Sequence, residues 1–419
     1  MKGLRTVAVL FTLFPAWAIS QVQAVRSYDV YDSVGVNTHW YYGNGYQYLP
    51  QFSALVGAMV HSHARHFRDG MYAQGTNTPA YLSAMYATLA GLGIHADLIV
   101  PSGESAAQIE AGLRLYPGVE AIEPPNEWDI NGGSNWASTL QQEEPEILQA
   151  GRDLGLTVLG PSLAQPESYA ELPDLSEYMD FNNLHPYFGG RNPETGGWGG
   201  PDQQGNYYGS LSYDLNFANV DGPGRSSFAT ETGYITTSTP TQNQVPEWVE
   251  GIYAPRLVLE FFKKGFKRTY LYELVDDPSW AQPGYGLLRY DLSPKPAAIA
   301  LRNLLNILDD NDVDFAPESL NYSLSGNTGG VESLLVQKSA GAFWLAVWID
   351  GSIYDVNALQ PTPVPSRRLT LNVQGGRVVT RLTSFGSNGN TQGTPMNNSS
   401  LQFTASSGLT MIRIAYPGQ

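Results

Sequence analysis

The sequence predicts a (β/α)8 barrel followed by an antiparallel β-sandwich, and three observations carry the prediction. From residue 34 to about residue 308, short apolar runs alternate with amphipathic segments. The runs are apolar on both faces, as in a parallel sheet covered on each side. Eight such repeats in roughly 275 residues match the size of a closed barrel. Beyond about residue 309 the pattern changes to short alternating segments separated by Gly, Asn, Ser and Pro, which is a sandwich pattern.

The expected barrel strands are 34–39, 64–68, 95–100, 119–123, 156–160, 181–185, 227–231 and 269–274. Helices are expected over 50–61, 79–92, 105–115, 137–154, 245–264 and 296–308. A doubly wound open sheet is the structural rival. No Gly-x-Gly-x-x-Gly follows the first strand, so dinucleotide binding loses support. Residues 188–225 are Gly-rich and weakly periodic, and read as a long functional loop after strand six. Sandwich strands are expected at 333–338, 343–350, 368–373, 378–384, 400–405 and 409–415, with a strand from 25–33 joining them. The acidic group Asp309, Asp310, Asp312 and Asp314 lacks the Gly and distal Glu of a calcium loop and reads as a solvated hinge.

The chain has 419 residues, 42% hydrophobic and 15% charged, a globular composition. A net charge of −16 disfavours nucleic acid as a partner. With no cysteine, disulfides, thiolate zinc sites and cysteine nucleophiles are excluded. Lys2 and Arg5 precede a short apolar run over 7–18, as in a secretory signal. The expected division is a signal over 1–24, a barrel over 25–310 and a sandwich over 311–419, with a cut near Ala18 or Ser20 as the alternative to Ala24. The apolar run is shorter than the ~20 residues of a spanning helix, so no membrane insertion is expected after cleavage. Export without disulfides fits a bacterial periplasm or exterior.

Three motifs fall at C-terminal ends of predicted barrel strands, the face on which barrels build active sites. Glu123-Pro124-Pro125-Asn126-Glu127-Trp128-Asp129 follows strand four: two prolines stiffen the chain before an amide, a carboxylate and an indole. Thr230-Glu231-Thr232-Gly233 ends strand seven with a carboxylate among small residues, and His185-Pro186-Tyr187 follows strand six. Taken singly, these could be a Pro-stabilised turn, a salt-bridged glutamate and a structural histidine. Together they place two carboxylates across one barrel mouth, the pair that glycoside hydrolysis requires. Trp40, Trp128, Trp198 and Tyr234 are candidates for stacking on sugar rings, and His39 with Trp40 for shaping a sugar subsite.

On these residues the chain resembles the clan A glycoside hydrolases, retaining (β/α)8 enzymes, nearest to bacterial family 39-like and family 5-like members. The resemblance implies that Glu127 is the general acid/base and Glu231 the nucleophile. It implies that Asn126 bonds the sugar 2-hydroxyl, that Tyr187 touches the nucleophile beside His185, and that Arg68 favours its charged form. No metal or organic cofactor is implied; the partner is a β-linked oligo- or polysaccharide. Strand eight lacks the clan's usual tryptophan, and Tyr272 or Glu273 would replace it in the sugar subsite. The charge of Glu231 and the indole of Trp128 would hold Glu127 protonated near neutral pH. Glu123 and Glu273 are rival carboxylates, although an ion pair of Glu123 with Arg65 or Arg68 is the stronger reading. A non-catalytic carbohydrate-binding barrel, or a transglycosylase remodelling exopolysaccharide, would use the same residues.

Overall fold

The computed structural model describes residues 20–45, 48–73, 79–277, 284–310 and 312–419, so most of the expected signal, residues 1–19, lies outside the described residues. Eight parallel strands form one sheet: Val34–Asn37, His66–Gly70, His95–Ile99, Val119–Glu123, Thr157–Val158, Asn182–Leu184, Ser227–Thr232 and Arg268–Leu271. The first strand pairs with the eighth, and a parallel bridge between Leu159 and Phe181 joins the fifth to the sixth, so the sheet closes. That closure sets aside the open-sheet rival. In the barrel interior the Tyr270 ring would stand 2.4 Å from a Cβ at position 35, so Gly35 makes room for it.

Helices Phe52–His61, Ala80–Gly91, Ala106–Leu113, Trp136–Leu154, Glu247–Lys263 and Pro296–Leu308 pack outside the strands, near their expected positions. Among the described residues, no helix is long and apolar enough to cross a membrane. The 188–225 connection is not all loop: it contains helix Leu211–Asp221, whose N-cap Ser210 Oγ accepts a hydrogen bond from the Tyr213 backbone N–H. Its inner face carries Asp214 and Asp221 among Leu211, Tyr213 and Ala218, so the apolar stripe is broken and the helical period is hard to read.

The C-terminal region is a two-sheet sandwich. One sheet has Ser20–Gln23, Ser319–Gly326, Arg367–Val373 and Ser400–Ala405 in spatial order. The other has Thr391–Asn398, Val378–Phe385, Thr410–Ala415, Phe343–Ile349, Val331–Gln337 and Val25–Arg26. Two of the longer strands escaped the sequence reading. Ser319–Gly326 is largely polar, and Thr391–Asn398 is an almost fully exposed edge. The expected strand at 25–33 is instead helix Ser27–Asp32, preceded by two short strands, one in each sheet. A cut after Ala24 would remove strand Ser20–Gln23, which pairs with residues 319–322; a cut after Ala18 would keep it.

Phe343–Ile349 is buried along its whole length because both faces are covered. Phe343, Leu345 and Val347 point into the sandwich core. Trp344, Ala346 and Trp348 pack with Tyr253, Leu257, Phe261 and Leu304 of the barrel helices. The sandwich therefore braces the barrel through a continuous apolar seam.

Candidate active site

The structure brings the three motifs together at the C-terminal mouth of the barrel, where a cavity of about 250 Å³ is lined by Asn126, Glu127, Glu231, Arg68, His39 and Tyr272, among others. Strand four delivers Glu127 through Pro124-Pro125. Glu127 itself caps the short helix Trp128–Asn131 with φ +45° and ψ 51°, a left-handed conformation that costs a non-glycine residue about 1–2 kcal/mol. Strand seven delivers Glu231. One oxygen of Glu127, one of Glu231 and a ring nitrogen of His185 all lie within 4.8 Å of one another.

The two carboxylates have different neighbours. Arg68 Nη1 donates to Glu231 Oε1 at 2.6 Å, and Tyr187 Oη donates to Glu231 Oε2 at 3.0 Å. Arg68 also donates through Nε to Glu123, through Nη1 to Asn37 Oδ1 at 3.2 Å and through Nη2 to Asn126 Oδ1 at 2.8 Å. Asn126 thus gives its carbonyl to Arg68, and among the described residues its side-chain N–H groups have no protein partner. Burial works against the Arg68 charge, but Glu123 and Glu231 outweigh it and hold the guanidinium firmly protonated.

Glu127 instead meets His185, whose Nδ1 lies 2.9 Å from Glu127 Oε1 while Nε2 lies 3.0 Å from Thr230 Oγ1. This overturns the expectation that Glu127 is held protonated. Burial pushes the Glu127 pKa up, but the His185 hydrogen bond and charge prevail and hold it below the usual carboxylate value. His185→Phe keeps a ring but removes the donor. The Glu127 pKa should then rise, and the alkaline limb of kcat/KM, which reports the free enzyme, should move to higher pH. A pH profile of the variant superimposing on that of the wild type would count against this pairing.

Glu123 is fully buried and tied to Arg68, not Arg65; Arg65 turns to Asp32. Glu123 also accepts from Asn183 Nδ2 and lies 3.0 Å from Thr230 Oγ1, so it supports the site from beneath. Glu273 is 1% exposed, accepts from Tyr48 Oη at 2.8 Å and lies 3.5 Å from His39 Nε2; burial pushes its pKa up to about 8. His39 lines the cavity beside it; burial lowers the His39 pKa to about 3, leaving the imidazole neutral.

Several expected sugar platforms are elsewhere. Trp40 is fully buried against Tyr48 and Phe52, and Tyr234 is 2% exposed, donating to the Arg191 carbonyl. Trp128 is half-buried against the core, in the space a side chain at Gly132 would need. Trp198 stacks under Arg191 at 4.1 Å. The aromatic wall is built from tyrosines that the sequence reading passed over, apart from Tyr272 and Tyr187. Tyr42 stacks on His39 at 4.9 Å, and Tyr285 stands edge-on to both Tyr272 and Tyr187. Tyr41 fits only because residue 70 is glycine, its ring lying 2.7 Å from where a Cβ would be. Tyr41-Tyr42 follows directly on His39-Trp40, and that adjacency was the available signal.

Glu127, His185 and Glu231 could offer three ligand atoms to a divalent ion. Arg68 already places a positive charge against Glu231, and His185 Nδ1 is engaged with Glu127, so the set suits a carboxylate pair better than a cation.

No protein-family model matches the chain, and no curated protein does. Solved structures do. A family 39 glycoside hydrolase from the gut symbiont Bacteroides cellulosilyticus superposes with a TM-score of 0.63 at 14% identity, over 92% of this chain and 82% of that one. The chain shares the fold of that enzyme. An endo-β1,6-glucanase aligns with a TM-score of 0.53 at 11% identity, over 97% of this chain and 95% of its own. Both likenesses span barrel and sandwich together.

Proposed function

We propose that this chain is an exported, retaining glycoside hydrolase acting on β-linked oligo- or polysaccharide. The observation that carries the reading is that one oxygen of Glu127 and one of Glu231 lie within 4.8 Å of each other, a nearest-atom approach that is shorter than the separation of the carboxyl groups themselves and suits a close pair. An inverting pair stands about 6.5–9.5 Å apart to admit a water, whereas a retaining pair stands about 5–5.5 Å apart. The roles follow from the neighbours. Glu231, held by Arg68 and Tyr187, attacks the anomeric carbon. Glu127 gives a proton to the departing glycosidic oxygen as that C–O bond breaks. A glycosyl ester on Glu231 results. Water then attacks the same carbon, Glu127 takes its proton, and Glu231 leaves as carboxylate. The free N–H groups of Asn126 face the cavity and suit a sugar hydroxyl; Tyr272 and His39 form the wall. The neighbouring endo-β1,6-glucanase supports a β-linkage as the bond cleaved. Lys2, Arg5 and the apolar run after them support export.

The test is the stereochemistry of the first product. Proton NMR during early hydrolysis of an aryl β-glycoside or β-glucan panel should show the β-anomer forming before mutarotation. An α-anomer appearing first would refute the retaining assignment, and elongated products would shift the reading to transglycosylation.

A further inference from the structure

We propose that the seam between barrel and sandwich holds a second binding site, for a negatively charged sugar residue of a glycan. A cavity of about 360 Å³ opens there, away from the catalytic mouth, with Asn303 and Asn306 of the last barrel helix on one side and Trp344, Arg381, Arg413 and Lys338 of the sandwich on the other. Trp344, Arg413 and Arg381 stand directly opposite one another on three successive antiparallel strands. Two like charges in facing cross-strand positions repel, and sheets ordinarily pair such a position with an opposite charge.

Among the described residues no carboxylate side chain pairs with either arginine. Arg381 donates only through Nε, to Thr383 Oγ1 at 3.3 Å. Arg413 donates through Nη1 to Thr380 Oγ1 and to a main-chain carboxyl oxygen of Gln419, the last residue, both at 2.9 Å, which leaves Nε and Nη2 without protein partners among the described residues. Lys338 Nζ donates to the Asp309 carbonyl at 2.7 Å. Lys338 has acids beside it: the charges of Asp310 and Asp309 act on it, while Asp310 also accepts from the backbone and hydroxyl of Ser339 and the Asp309 carboxylate lies 3.8 Å from His63 Nδ1. In a chain with 39 acidic and 23 basic residues, two facing arginines at one cavity run against the overall balance. An anion between them would relieve the repulsion and fill the vacant guanidinium donors.

The rest of the lining points to a sugar acid rather than a free inorganic anion. Trp344 supplies an apolar ring, and Asn303, Asn306 and Thr383 supply the mixed donors and acceptors that sugar hydroxyls need. The choice of a glycan also draws on the proposed activity of the barrel, whereas the anion site stands on the sandwich residues alone.

The experiment titrates the full chain with polygalacturonate, chondroitin sulfate, a neutral β-glucan and inorganic phosphate, using wild type, Arg381→Gln and Arg413→Gln. The acidic glycans should bind, more weakly as salt is raised. Each substitution should weaken that binding about tenfold. Hydrolysis of a short aryl glycoside should be unchanged in Arg381→Gln, and its melting temperature unchanged or higher, since an unbalanced repulsion has been removed. Acidic-glycan binding that survives Arg381→Gln would overturn the proposal. So would phosphate binding as tightly as the glycans, or neutral β-glucan competing for the same site. Arg381-dependent binding in a chain without glycosidase turnover would sink the catalytic reading and leave this one standing.

Discussion

Glu231→Ala should lower turnover of an activated aryl β-glycoside by on the order of 10⁴-fold, and azide should restore it with inverted product configuration. In the proposed mechanism the substitution removes the atom that bonds to the anomeric carbon and leaves space on that face of the sugar. Azide entering the space attacks once, so a single displacement replaces two and the anomer inverts. Arg68 keeps its bond to Glu123 in this variant, and the cavity floor persists, so binding outlasts catalysis. Glu127→Ala should behave differently. An activated leaving group needs little proton assistance, so the glycosyl ester still forms, but water attacks it slowly without a base. Azide should then intercept the ester and give a product of retained configuration. The contrast in anomer assigns the two roles separately. Near-wild-type rates in Glu231→Ala would end the assignment.

This asymmetry rests on one polar network. Arg68 links Glu231 to Glu123 and Asn126; Thr230 lies between Glu123 and His185; His185 meets Glu127. A single guanidinium thus sits against Glu231, the proposed nucleophile, while Glu127, the proposed acid/base, is reached through an imidazole. The lowered pKa of Glu127 has a consequence for pH dependence. Its proton is present only toward acidic pH in the free enzyme, so kcat/KM should fall as pH rises through the Glu127 titration.

Much of this was legible because barrel physics is repetitive. Strands covered on both faces are apolar throughout, and their C-terminal ends are marked by the change to Asn126-Glu127, His185-Pro186-Tyr187 and Glu231. Those positions needed only the strand count to be placed on one mouth. Arg68 was legible for the same reason, as the polar end of strand two. What was not legible depended on which side of a backbone a ring takes. Trp40 and Tyr41 are adjacent, yet Trp40 turns into the core and Tyr41 lines the cavity, in a space that glycine at 70 provides. The charge state of Glu127 was missed because the His185 imidazole reaches it from a different strand, and spacing within one motif carries no sign of that contact. The short strand Ser20–Gln23 was missed, and the strand expected at 25–33 was drawn too long around Val25–Arg26, because their partners lie about 300 residues away, in strands Ser319–Gly326 and Val331–Gln337.

Glu194→Ala should destabilise the fold by about 3–5 kcal/mol, the cost of leaving a buried charge without its partner. Arg256, from barrel helix Glu247–Lys263, is wholly buried; its Nε donates to Glu194 Oε1 at 3.0 Å and its Nη2 to Glu194 Oε2. Glu194 lies in the connection between strands six and seven and also accepts from Trp348 Nε1 of the sandwich at 2.8 Å. One carboxylate thereby satisfies donors from barrel and sandwich, in the midst of the apolar seam. Its loss strands the Arg256 guanidinium, whose remaining hydrogen bonds among the described residues are 3.4 Å contacts to the Gly351 and Ser407 carbonyls, beside the Tyr253 ring. Denaturant unfolding, followed by tryptophan fluorescence because Trp348 is at the junction, should show the loss. The paired replacement Arg256→Met with Glu194→Leu should recover much of it, since an apolar pair of similar volume removes both unsatisfied charges. Recovery by the double variant would mean that the pair mainly satisfies its own charges. Failure of the double variant, with the single loss intact, would mean that the Trp348 indole and the loop geometry need the carboxylate itself. A Glu194→Ala transition superimposing on that of wild type would exclude the pair as a structural tie.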